Sequence, residues 1–90
     1  MKPHQKTFDR IREAVLPEFR ERVADYLIEY ERVMQDDASE ASLFCASAQQ
    51  LRGYLRGLNT TRVLGMADWE DLDRRVEHMA ASATAQDVAN

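Results

Sequence analysis

The stretch Val15-Leu16-Pro17-Glu18-Phe19-Arg20-Glu21-Arg22-Val23 decides how this chain folds. Val15, Phe19 and Val23 stand four residues apart, and a proline lies among them. The apolar row extends outward on both sides. Phe8 and Ile11 precede it, and Leu27 (with Tyr26), Tyr30 and Met34 follow in steps of three and four. Such spacing places every member on one side of an α-helix. A helix-interior proline loses one hydrogen bond and collides with the carbonyl four residues back, at a cost of about 3 kcal/mol. Pro17 could equally be the first residue of a new helix. The unbroken phase favours a kinked or briefly interrupted helix from Thr7, a candidate N-cap, to about Gln35. Its two halves would bury the same side over roughly 40 Å.

Asp36-Asp37-Ala38-Ser39-Glu40 marks the next boundary, with capping-box spacing between Asp37 and Glu40. A second helix carries Ala41, Phe44, Ala48, Leu51, Leu55 and Leu58 in a heptad pattern. A short connection between two long helices makes them antiparallel neighbours. Gly65 breaks the pattern. Asp68 is then the candidate cap of a third, shorter helix whose stripe is Trp69, Leu72, Val76, Met79 and Ala83. The expected fold is all-α: a long antiparallel helical hairpin with a shorter third helix, a three-helix bundle. Residues 1–90 would form one domain, with 1–6 and 81–90 flexible because they hold too few large apolar groups to offset ordering entropy.

The chain has 90 residues, a formal net charge of -4 and a single cysteine, Cys45. One cysteine permits neither an internal disulfide nor a cysteine-only zinc cage, and its Ala-rich surroundings suit a small buried side chain. No run approaches the roughly 20 apolar residues that a bilayer requires, so no membrane partner is expected. Met1 to Lys6 lead into no apolar segment, so no secretory signal is read and a cytoplasmic location is expected. Asp68, Glu70, Asp71, Asp73 and Glu77 spread around their helix as a solvated face does. Three residues before His78 stands Arg75 rather than Glu, so the di-metal ligand pair of helical bundles is missing. No catalytic residue, metal site, cofactor or small-molecule substrate is read from the sequence, and no enzymatic activity is expected.

Between Ala41 and Ala67 there is no acidic residue, while Arg52, Arg56 and Arg62 are present. Within this segment Leu51-Arg52-Gly53-Tyr54-Leu55-Arg56-Gly57-Leu58 repeats Leu-Arg-Gly at a spacing of four. Glycine inside a helix costs about 1 kcal/mol against alanine. Two of them on one face form a strip where another backbone can come close. In the other reading, Gly57 ends the helix and Gly53 merely tolerates a crowded crossing. The arginines have two readings as well: complements to the helix dipole and to acidic groups of a neighbouring helix, or a positive patch for an acidic partner or phosphate.

The segment Phe44 to Leu58 resembles short helical proteins from tailed-phage structural gene clusters. There an aromatic residue precedes, by about a dozen positions, a hydrophobic-Arg-Gly-Leu helix end. Phe44 and Leu55-Arg56-Gly57-Leu58 carry the likeness, although Ser42-Leu43 stands where those proteins have a polar–aromatic pair. The resemblance implies a virion location and an assembly or packing role without enzymatic activity.

The expected function is therefore a non-enzymatic interaction or assembly module acting as a homo-oligomer, a homodimer or higher. Phe8, Ile11, Arg52, Gly53, Tyr54, Arg56 and Gly57 are the candidate interface. The alternative is a small regulatory module that binds nucleic acid, or inhibits a nucleic-acid-binding partner, through Arg52, Arg56 and Arg62.

Overall fold

The computed structural model describes residues 4–36 and 40–89, with side chains through Ala83 in the last helix. It holds four α-helices: α1 Gln5–Ala14, α2 Arg20–Met34, α3 Ala41–Thr60 and α4 Met66–Ala89. The fold is all-α, as the stripes require, but it is not a three-helix bundle. The first long helix breaks in two at Pro17. Val15 and Leu16 are extended (ψ 155 and 139), as the residues before a proline prefer, and Pro17–Phe19 form a single 3₁₀ turn. The backbone N–H of Leu16, released from the helix, donates to the Val63 carbonyl at 3.0 Å. The Arg20 guanidinium donates to the Glu13 carbonyl at 3.1 Å and so satisfies part of the open end of α1.

The break reverses the chain instead of bending it. At the far end of the pair, the Gln35 side-chain amide donates to Oε1 of Gln5 at 3.2 Å, and Arg12 pairs with Glu31. α1 and α2 are therefore antiparallel. Tyr26 of α2 meets Tyr54 of α3, Arg52 of α3 meets Asp73 of α4, and Arg10 of α1 meets Asp71 of α4. Each helix thus runs against its neighbours, and α1 closes the ring on α4. This is the up-down-up-down arrangement of a four-helix bundle. α4, with 24 residues, is the longest helix rather than the shorter one that its stripe suggested.

The stripes meet in one interior. Phe8 and Ile11 of α1, with Val15 just after it, join Val23, Leu27 and Met34 of α2, and Phe44, Ala48, Leu51 and Leu55 of α3 complete the interior with Leu72, Val76 and Met79 of α4. Leu64, in the α3–α4 turn, is also fully buried, and the side-chain amide of Asn59 donates to its carbonyl at 3.1 Å. Cys45 is half-buried, with Sγ 3.7 Å from the Ala80 carbonyl oxygen.

The helix ends differ from the expected caps. Thr7 lies inside α1 and is buried, and the N-cap position belongs to His4, whose ring packs 5.5 Å from Phe44. Asp68 sits in the first turn of α4 rather than before it. Glu40 is the N-cap residue of α3, while its expected capping-box partner Asp37 lies outside the described residues. Of the terminal segments, 1–3 and 90 lie outside the described residues, and 81–89 continue α4.

The C-terminus of α3 forms a Schellman motif. Val63 N–H donates to the Leu58 carbonyl (2.9 Å) and Arg62 N–H to that of Asn59 (3.0 Å). The motif needs a left-handed residue at its centre, and Arg62 takes that conformation at φ 65. Glycine is the usual occupant, because a Cβ there costs about 1 kcal/mol. Arg62→Gly is expected to stabilise the fold by about 1 kcal/mol, which raises the melting temperature by about 4–8 °C in a domain this size. Thermal denaturation followed by circular dichroism checks it; an unchanged or lower midpoint contradicts the assignment.

Candidate interaction face

α2 and α3 pack through an aromatic seam near the surface. Tyr26 and Tyr30, one turn apart on α2, have ring centroids 5.7 Å apart, and Tyr26 stacks on Tyr54 of α3 at 4.2 Å. These are all three tyrosines of the chain. Stacked or tilted pairs at such distances contribute about 0.5–1.5 kcal/mol beyond area burial. The seam is not closed over, for Tyr26 keeps 52% of its surface exposed. Beside it a groove of about 430 Å³ runs between Tyr30 and Val33 on one wall and Ser47 and Gln50 on the other. Asp25 and Glu29 form its acidic edge.

The α3 wall carries no charge next to the groove. Leu43, Ala46, Gln50, Gly53 and Gly57 are all exposed there, Leu43 at 51%. A Cβ on Gly53 or Gly57 would meet no neighbouring atom within 4 Å, and neither glycine has a positive φ. Nothing inside the chain therefore requires glycine at these two helical positions. The reading in which Gly53 tolerates a crowded crossing within the chain is excluded by that open space, and α3 continues past Gly57 to Thr60.

The other expected interface residues have different fates. Phe8 and Ile11 are 0% exposed and belong to the interior, because the fold-back at Pro17 covers the stripe that an unbroken helix would have left bare. Arg52 is held by Asp73 on α4, with Nε to Oδ1 at 2.8 Å and a second bond at 3.1 Å; Glu77 lies 3.8 Å away. Hydrogen bonding to Asp73 raises the Arg52 pKa above its ordinary value. Arg56 and Arg62 are exposed. Of the three arginines that would meet nucleic acid, one is thus committed to an intramolecular fork. Tyr26 was legible only as a member of the first stripe. Its surface role follows from the i, i+4 pairing with Tyr30 opposite Tyr54, once α2 and α3 are known to be antiparallel.

A second groove, of about 400 Å³, lies on the α1–α4 side and holds Asp71 and His78. Asp71 is engaged by Arg75 at 3.0 Å and Arg10 at 3.3 Å. His78 stands two helical turns further on, about 10 Å by rise, so the carboxylate does not orient the imidazole. Among the described residues no cluster of three or more His, Cys, Asp or Glu is placed to hold a metal, and no helix is long and apolar enough to cross a membrane. In comparison with known proteins, the chain matches no family model, no curated protein and no solved structure.

Burial, then hydrogen bonding to Tyr26, pushes the Tyr30 phenol up to about 12 from its ordinary 10.0. Burial also raises Tyr54. A phenol whose folded pKa exceeds its unfolded one stabilises the fold fully below pH 10, and that contribution is lost as pH rises through the folded value. Tyrosinate absorbance is expected to show a late ionisation near pH 12, with stability falling between about pH 10 and 12; Tyr30→Phe removes the late step. The glycines give an independent check. Gly53→Ala and Gly57→Ala are each expected to raise the stability of the dilute chain by about 1 kcal/mol in denaturant melts, since helix propensity improves and nothing is displaced.

Proposed function

We propose that this chain is a non-enzymatic helical interaction and assembly module that works as a homo-oligomer through its α2–α3 face. The observation that carries the reading is the state of that face. Its α3 wall is open and uncharged, its floor is aromatic, and two of its positions are glycines that weaken α3 by about 2 kcal/mol with no internal compensation. Tyrosine is enriched at the energetic centres of interfaces, where it supplies a large apolar body and a polar tip at little rotamer cost. Small residues beside it let a second backbone approach. The similarity of Phe44–Leu58 to proteins of tailed-phage structural clusters supports an assembly role of this kind, with a virion as its setting.

Light scattering after size exclusion, from about 1 to 300 μM, tests the reading. A concentration-dependent rise above the monomer mass is expected. Gly53→Leu is expected to weaken association at least tenfold without lowering the melting temperature of the dilute chain, because its side chain projects into open space. A wild-type chain that stays monomeric throughout, or a Gly53→Leu variant that associates normally, removes the proposal.

A further inference from the structure

The geometry points to a specific partner and pairing for this face: a second copy of the chain, related by a two-fold axis parallel to the bundle, so that α2 of each copy lies on α3 of the other. The inference rests on the proposed function and adds to it the arrangement of the two copies.

Height along the bundle comes first. α2 and α3 are antiparallel, with Tyr26 stacked on Tyr54. Asp25 precedes Tyr26 by one residue and Arg56 follows Tyr54 by two, so both are displaced toward the same end. At 1.5 Å per residue they stand within about 2 Å of the same height. Their directions differ. Arg56 lies about 200° around α3 from Tyr54, on the flank turned away from α2. Asp25 lies about 100° around α2 from Tyr26, at the outer edge of the groove on the α2 side. Both are exposed, and among the described residues neither has an ion-pair partner. Within one chain they occupy opposite rims of one face and cannot meet.

Rotation by 180° about an axis parallel to the helices leaves every height unchanged and exchanges the two rims. Asp25 of one copy then faces Arg56 of the second copy, and the reciprocal pair forms at the other rim. Glu29 on the same α2 rim faces an α3 that carries no acidic residue between Ala41 and Thr60. The small α3 positions, Ala46, Gly53 and Gly57, receive the bulk of α2, with Tyr26 against them. The competing two-fold, perpendicular to the helices and lying in the face, sets α2 on α2 and α3 on α3, so that Arg56 of each copy faces a helix with no acidic residue between Ala41 and Thr60 and stays unpaired. The charge pattern therefore selects the parallel axis. Closure by a two-fold also limits the assembly to a dimer at this face.

Charge exchange tests the pairing with the full chain. Asp25→Arg and Arg56→Asp are made singly and together, and dimer dissociation constants are measured by sedimentation equilibrium at low salt. Each single exchange sets like charges at both rims and is expected to weaken the dimer at least fivefold. The double variant restores opposite charges in reverse order and is expected to return to within about twofold of wild type. Melting temperatures of the dilute variants report folding, and Arg56→Gln, which only neutralises, is expected to fall between wild type and Arg56→Asp. A wild-type dimer that is unaffected by the single exchanges, or a double variant no tighter than the singles, overturns this pairing and leaves the interaction module standing. A monomeric wild type overturns both.

Discussion

The hydrogen bond from the Leu16 backbone N–H to the Val63 carbonyl is the contact on which the arrangement turns. Pro17 offers no N–H and forces the residue before it out of the helical region. Leu16 therefore leaves α1 with a donor that must be satisfied elsewhere. The acceptor stands in the α3–α4 turn, so one bond fixes the reversal between α1 and α2 against the reversal between α3 and α4. The Schellman motif at Arg62 holds that turn in shape and places the Val63 carbonyl to accept. Buried Leu64 anchors the same turn from inside. Two loops far apart in sequence thus form one end of the bundle, and the strained left-handed conformation of Arg62 is part of what the contact requires.

Once the chain reverses at Leu16, the distribution of buried surface follows. A continuous first helix would have left part of its stripe without cover, because its facing helices are not long enough to shield both halves. Folded back, Phe8 and Ile11 share one buried cluster with Leu27 and Leu72, and the stripe is consumed internally. The unpartnered surface moves to the outer side of α3. That helix carries two patterns at once. Inward, Phe44, Ala48, Leu51 and Leu55 keep a heptad phase; outward, Leu43, Ala46, Gln50, Gly53 and Gly57 keep the same phase on the opposite side. A helix that needed only to be soluble on its outer side would gain from Glu, Lys or Ala at those positions.

The sequence made the stripes legible and left their connection open. Phe44, Leu51, Leu55, Leu72 and Val76 could be placed in the interior from spacing alone, because amphipathic phase survives whatever a helix packs against. The break at Pro17 could not be separated from a kink in the same way. Val15, Phe19 and Val23 bury the same side whether α2 continues α1 or folds back on it, so phase carries no information about direction. The deciding term was tertiary: an acceptor for Leu16 supplied by Val63, forty-seven residues later. Arg62 hid its role for a related reason, since a left-handed helix end usually announces itself with glycine. Gly53, Gly57 and Tyr54 were visible as an unusual local pattern, and the structure shows their open surroundings. Tyr26 was not visible as their companion, because its stacking on Tyr54 depends on the register of α2 against α3.

The two arginines of α3 show how register divides the labour of one helix. They are four residues apart and carry the same charge, yet Arg52 meets Asp73 while the Arg56 guanidinium has no ion-pair partner among the described residues. The difference comes from α4, where Asp73 and Glu77 repeat at four and turn toward Arg52. That fork ties the flank of α3 to α4 and fixes the rotation of α3 about its axis, because bidentate geometry tolerates little turning. With the rotation fixed, the glycine side of α3 must face outward beside Tyr54, and Arg56 must stand at the rim. The intramolecular ion pair is thus what presents the opposite face of the same helix, uncharged and small, to whatever approaches it.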